Sequence, residues 1–223
     1  MRMPTLQEIR PKVLVVGIEA LATALLSADV LVGGLFDDLD LTIRDRVAAA
    51  GEPPIWADLS KELGEIAISG TLLVIVTAVT MQVLWRWWPA LLVAANMMAT
   101  GVLILGLKWL IGRPGPNGSG PWDGQRGSFP SGHTAVAAVC VGTTVFLVIA
   151  CLSRGRRLDR ARRWGIVGGL AVGLLVGAAV VLDGYHWVSD SLASVVLVAI
   201  ILEVGFTACM GYVDQPSDVP ERV

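Results

Sequence analysis

Six long apolar runs, parted by short polar stretches, organise this chain of 223 residues. They cover roughly 13–36, 64–85, 89–111, 133–153, 164–182 and 188–210. Each is near the about 20 apolar residues that a helix needs to cross the hydrocarbon of a bilayer. The runs lack the period-two alternation of a barrel strand, and in lipid only helices or closed barrels satisfy their own backbone. The pattern predicts an all-α integral membrane bundle of six transmembrane helices, with residues 1–223 forming a single domain. Between the first two runs, 37–62 carries DDLDLTIRDR and PPIWADLSKEL. It is too polar to span and is predicted as a short amphipathic surface helix. The first run reads as a retained helix, because it is long for a signal peptide, contains Glu19 and is followed by Asp29.

Composition agrees with this class. The chain is 54% hydrophobic and 16% charged, with a mean hydropathy of +0.68, well above a soluble domain. The net charge of −2 offers no basic face for nucleic acid. Cys140, Cys151 and Cys209 lie in or at the ends of apolar runs, which suits small hydrophobes and neither a disulfide framework nor a metal site. Lys and Arg divide unevenly between the two faces. Arg2, Arg10, Lys12, Arg86, Arg154, Arg156, Arg157, Arg160, Arg162, Arg163 and Arg222 fall on one side. Arg44, Arg46, Lys61, Lys108, Arg113 and Arg126 fall on the other. The positive-inside rule then predicts that both termini are cytoplasmic. The six arginines of SRGRRLDRARRW (153–164) have a second reading, as contacts to anionic headgroups. Trp85, Trp87, Trp88, Trp109, Trp122 and Trp187 are read as interfacial belts, and Trp109 and Trp187 also as candidates to line a lipid entry.

This topology brings the only two histidines to one face. His133 begins the fourth run, after GSFPSG, and His186 stands just before the sixth, in DGYHWVSD. Lys108 ends the third run at the same level. Glycines and prolines keep 112–132 out of helix. Ser131 is a candidate N-cap, and Gly132 lets an oxyanion approach the free N–H groups of the first turn. With Lys108, Arg113 and Arg126 nearby, this is a site for an anion such as phosphate; taken alone, Ser-Gly-His has a plainer reading, a capped helix after a flexible loop. His186 and Asp190 are four apart, on one helix face. A carboxylate there fixes the imidazole tautomer and frees the other nitrogen as nucleophile or base. The plainer reading is a satisfied pair at a helix start.

Lys108 in LKWLIGRPGP, PSGH at 130–133 and GYHWVSD at 184–190 together resemble the three motifs of the type 2 phosphatidic acid phosphatase family. These are integral membrane lipid phosphatases related to vanadium haloperoxidases. The resemblance covers roughly 64–205, the motif core. It implies His186 as the nucleophile that becomes phosphohistidine, Asp190 as its orienting partner, and His133 as the acid and later the base. It also implies Lys108, Ser131 and the Gly132 N–H as holders of phosphate oxygens, with no metal or other cofactor. Two family arginines are missing. The first-motif position is Gly115, and the third-motif position is Val180, preceded by Ala179 where the family has serine. Arg113 and Arg126 are the candidate replacements.

The resulting expectation is a metal-independent hydrolase of a lipid phosphate monoester or pyrophosphate, acting at the extracytoplasmic face of a plasma membrane. Polyprenyl pyrophosphate, phosphatidic acid, phosphatidylglycerol phosphate and related glycolipid phosphates are the candidate substrates. Its partners are that lipid and the bilayer; the sequence is silent on oligomeric state. Two alternatives stay open: a relative that binds lipid phosphates without turning them over, and one that passes phosphate to an alcohol instead of water. Glu19 and Glu203 are polar interruptions expected to face the interior or water, and Asp183 is read as a cap or a headgroup contact.

Overall fold

The computed structural model describes residues 6–118 and 127–213, with side chains from Leu14 onward. The helices are α1 (Leu6–Val32), α2 (Leu35–Ala50), α3 (Ile55–Lys61), α4 (Ile66–Leu84), α5 (Trp88–Ile111), α6 (Gly132–Leu152), α7 (Leu158–Leu182) and α8 (Val188–Val213). A 3-10 turn, Glu62–Gly64, joins α3 to α4. Six helices are long and apolar enough to cross a membrane: α1 from Leu14, and α4 to α8. Because successive spans reverse direction, residues 112–118 and 127–131, the α7–α8 turn and α2–α3 gather at one end of the bundle. The arginines near 154–163 gather at the other.

α6 and α8 form the centre, each with 56% of its most apolar window buried. Phe146 of α6 stacks on Phe206 of α8 at 4.3 Å, and Trp88 meets Phe146 edge-on at 6.1 Å. α7 lies against α6 through a four-residue repeat of Gly165, Gly169, Gly173 and Gly177, all buried. At two of these positions a side chain has no room. A Cβ on Gly165 would stand 2.9 Å from the Gly142 carbonyl, and one on Gly169 would stand 2.7 Å from the Ala138 carbonyl. Such close backbone approach is how helices gain contact in lipid, where the hydrophobic effect does not drive them together. It also sets where the C-terminus of α7 stands relative to the N-terminus of α6.

Local signals end the helices at the site. Gly112 takes a left-handed φ of 59° and donates its N–H to the Lys108 carbonyl, stopping α5. Ser131 caps α6, accepting from the Thr134 N–H at 3.4 Å. After α7, Gly184 turns at φ 70°, and the N–H groups of Tyr185 and His186 both reach the Val180 carbonyl, at 2.9 and 3.2 Å. That tight return delivers His186 to the head of α8.

Several expectations are corrected. The 37–62 stretch holds two helices, α2 and α3, in place of one; most of its residues are exposed, as a surface layer requires, with Asp40, Ala57 and Ser60 buried against the bundle. α7 starts at Leu158, so Arg160, Arg162 and Arg163 are helical, and Arg162 pairs with Glu203 of α8. Trp88 is buried against Phe146, not interfacial, whereas Trp85, Trp87 and Trp109 are exposed. Asp29 accepts from the N–H groups of Leu35 and Phe36 and so caps α2. Gly34 leaves the space that its carboxylate fills.

Candidate active site

Two segments far apart in sequence bring the two histidines together. Their ring centroids are 6.3 Å apart, with the ring planes at 64°. His133 comes from the first turn of α6 and His186 from the turn before α8. The α6 head is tied to α8 directly, because the Ser131 N–H donates to the Asp190 carbonyl (3.1 Å) and the Ser194 hydroxyl donates to the Ser131 carbonyl (2.8 Å). An added Cβ on Gly132 would meet nothing within 4 Å, so the backbone there is open to a ligand.

Asp190 is fully buried and fully engaged. Its Oδ2 accepts from the Ser128 hydroxyl, from the Trp187 N–H at 3.2 Å, and faces His186 Nδ1 at 3.3 Å. Its Oδ1 accepts from Arg113 Nη1 at 3.0 Å. Ser128 Oγ lies 3.1 Å from the same His186 nitrogen. A Ser128 hydroxyl that donates to Asp190 presents a lone pair to His186, an arrangement that favours the tautomer with the hydrogen on Nδ1 and the lone pair on Nε2. Burial then pulls the His186 pKa below its ordinary value, against the opposing pull of Asp190 and helped by Lys108 and His133. The neutral imidazole is the form with a lone pair to give.

Arg113 departs from the expected phosphate clamp. Besides Asp190, its guanidinium donates to the Ser189 hydroxyl (2.7 Å), to Asp40 Oδ2 (2.9 Å) and to Asp37 Oδ1 (3.3 Å). Burial would lower its pKa, but Asp190 and Asp40 more than offset this and raise it. Both terminal nitrogens of the guanidinium are thus engaged by protein partners, three of them carboxylates. Asp40, on α2, also accepts from the N–H and hydroxyl of Ser189, so it caps α8 from another helix. Val180, at the third-motif position, is packed in an apolar cluster with Ala137 and Val176.

Lys108 Nζ is held by the carbonyls of Gly127 (2.7 Å) and Ser128 (3.1 Å), which anchors the loop end to α5. The same join needs Gly127 bare, since a Cβ there would fall 2.9 Å from the Gly112 Cα. Trp187 locks the other loop end, donating from Nε1 to the Pro114 carbonyl at 2.9 Å under the Arg113 guanidinium. Arg126 lies outside the described residues.

His133 has a lighter setting. Its Nε2 is 3.1 Å from Glu65 Oε1, at the head of α4. A Cβ on Gly64 would come 2.7 Å from the His133 Cβ, so the 3-10 turn abuts it only because that residue is glycine. Asp183 pairs with Lys61 at 2.7 Å, and Lys61 also bonds Asp58. Lys61 stays protonated well above the usual lysine range, held there by hydrogen bonds to the two carboxylates.

The sequence reading therefore finds His133, His186, Asp190, Lys108, Ser131 and Gly132 at one locus. It misses Ser128, Asp40, Asp37 and Glu65. Asp37 and Asp40 are three apart on one face of an amphipathic stretch, which is a signal for a shared partner but does not name it.

Comparison with known proteins is consistent with this geometry. A lipid A 1-phosphatase of Porphyromonas gingivalis is 31% identical over 121 residues, which is 53% of this chain and 24% of that protein, so the chain spans about a quarter of the relative's length. The crystal structure of a transmembrane PAP2 type phosphatidylglycerolphosphate phosphatase from Bacillus subtilis matches with a TM-score of 0.63 at 19% identity, covering 92% of this chain and 98% of that one. That likeness shows a shared fold. The family model described as the PAP2 superfamily matches residues 85–214, which hold Lys108, both histidines and Asp190, and the chain belongs to that family.

Proposed function

We propose that the chain is a metal-independent lipid phosphate phosphatase working through a phosphohistidine on His186. The observation that carries this reading is the pairing of a neutral, oriented imidazole with a second imidazole 6.3 Å away, centroid to centroid, beside an open helix N-terminus. In the first step, His186 Nε2 attacks phosphorus and the P–O bond to the lipid breaks, while His133 gives its proton to the departing oxygen. In the second, His133 takes a proton from water, the hydroxide attacks the phosphohistidine, and the N–P bond breaks to release inorganic phosphate. Asp190 balances the positive charge on His186 in the intermediate. Lys108, Ser131 and the N–H groups at Gly132 stabilise the phosphoryl oxygens.

Arg113 takes part in this scheme as a positioning residue that fixes Asp190. The site end is read as extracytoplasmic and both termini as cytoplasmic, from the arginine excess at the opposite end. Phosphatidic acid, phosphatidylglycerol phosphate, polyprenyl pyrophosphate and phosphorylated glycolipids are the substrate candidates.

The test is phosphate release by detergent-purified protein in excess chelator, across a panel of these lipids, with His186→Ala beside it. The expected result is release that the variant abolishes, and a labelled, acid-labile phosphoryl adduct on His186. A second reading rests on Arg113 being engaged elsewhere and on Val180 standing in apolar packing. With fewer cations on the phosphate, the site would hold lipid phosphates or pass the phosphoryl group to an alcohol. Phosphate retained on added alcohol in place of release would select it.

A further inference from the structure

Beside His186, on the side of α2, lies a cavity of about 210 Å³ with a mixed lining, in which Arg44, Asn117 and Asp183 stand among apolar residues such as Val47 and Pro116. Below it, between α7 and α8, runs an almost wholly apolar groove of about 340 Å³. Its walls are Leu174 and Ala178 of α7 and Leu192 and Val195 of α8, with Ile43 of α2 as its roof. The two spaces share Ile43, Val181, Leu182 and Val188, so they meet. Along the bundle the lining is mixed at the ends of α7 and α8, then almost wholly apolar toward mid-helix. That is the polarity order of a membrane amphiphile lying parallel to the helices.

We infer that this composite cleft under α2 binds the substrate's lipid body, with the polar head beside His186 and one hydrocarbon chain in the α7–α8 groove. The inference rests on the phosphatase reading and adds which part of the molecule selects the lipid. The groove suits a chain for three reasons. Its surface is apolar, so it offers a headgroup no polar partner. Its walls belong to two of the six candidate spans, and Leu174 and Ala178 on them are exposed, so in a membrane it opens to lipid. It is continuous with a cavity that His186 lines, so a chain held there lies on the α2 side of the nucleophile's residue. Ile43 and Arg44 lie on the same helix as Asp40, so the element that roofs the cleft also buttresses Arg113.

The experiment fills the groove. Ala178 is exposed on α7, so Ala178→Trp blocks the groove without entering the core. Leu105→Trp, at an exposed position on α5 away from the cleft, is the control. The readout is kcat/KM for a long-chain lipid phosphate in mixed micelles divided by that for water-soluble p-nitrophenyl phosphate. The expected result is a fall in this ratio of at least about tenfold in Ala178→Trp, as losing the burial of two methylenes gives, and an unchanged ratio in Leu105→Trp. An unchanged ratio in both variants overturns the inference. If the wild type hydrolyses neither compound, the phosphatase reading has failed, and binding decides the cleft. Native mass spectrometry with a long-chain alkylphosphonate then supports it by retention in the wild type and loss in Ala178→Trp. Equal retention in both proteins means bilayer-type adhesion only and overturns it.

Discussion

The two histidines share a pocket but are held in opposite ways. His186 is buried, and behind it stands a network of Ser128, Asp190, Arg113, Ser189 and Asp40, drawn from four segments. His133 keeps a side chain 35% exposed and has, among the described residues, one side-chain polar partner, Glu65, itself 54% exposed. The difference follows from what each group does in the proposed reaction. A nucleophile needs one tautomer and one direction, and both come from fixing the nitrogen that does not react. A group that gives a proton and then takes one from water needs solvent contact and tolerance for two states. Rigidity has been placed where geometry decides the rate, and access where proton exchange does.

If this contrast is real, changes on the His186 side cost far more than changes on the His133 periphery. His186→Ala is expected to reduce kcat by at least about 10⁴-fold, as loss of a nucleophile does, with the thermal transition and detergent elution profile retained. Asp190→Asn is next. It keeps the shape but removes the charge that opposes the His186 imidazolium, and it permits the wrong tautomer. A loss of about 10²- to 10⁴-fold in kcat is expected. It also leaves the Arg113 charge short of a partner, so a fall in melting temperature should accompany it. Wild-type kinetics in Asp190→Asn would erase the distinction between the two histidines.

Arg113→Ala separates positioning from phosphate binding. As a positioning residue, Arg113 acts on kcat, with a loss of about 10- to 100-fold for a slightly misplaced nucleophile. The pH profile gives the independent sign. Burial holds the His186 pKa below its ordinary value, so the acid limb of kcat/KM in the wild type lies below about pH 6.5. Activity is then lost as pH falls through that limb. Removing the guanidinium leaves Asp190 free to favour the imidazolium, so the limb moves upward. A phosphate clamp would behave otherwise: KM and the inhibition constant of inorganic phosphate would rise, and the acid limb would stay in place. Ser128→Ala should be milder, at about 3- to 10-fold in kcat, the scale of one net hydrogen bond.

The sequence carries the spans because lipid imposes a strict length and apolarity on each. It carries the two histidines, Lys108 and the Ser131 cap because chain order alone brings those ends to one face. The buttress was not legible. Asp40 and Arg113 are 73 residues apart, and no periodicity links a helix outside the family-matched region to a loop within it. Arg113 illustrates the limit. Its position beside the motif suggests phosphate, whereas its partners are set by how α2 packs, and packing is a tertiary fact. Ser128 escaped for a related reason, since one hydroxyl among loop serines gains meaning only from the Asp190 beside it.

Glu65 gives an expectation of similar size to that of Ser128 and the most selective of all. Its carboxylate touches His133 and not the nucleophile, so it acts only where a proton must be handed over. Ester bonds to alkyl alcohols break slowly without an acid, because an alkoxide is a poor leaving group. An aryl phosphate such as p-nitrophenyl phosphate leaves as a stabilised anion and needs little help. Glu65→Gln keeps a hydrogen-bonding partner for His133 but removes its charge. The expected outcome is a loss of about 3- to 10-fold on alkyl lipid phosphates and little change on the aryl ester. An equal loss on both substrates would place Glu65 in binding or folding, and the lighter setting of His133 would then have no part in proton transfer. A loss confined to alkyl esters ties Glu65 to the group that protonates the leaving oxygen, and completes the contrast between a nucleophile that is clamped and an acid that is tethered.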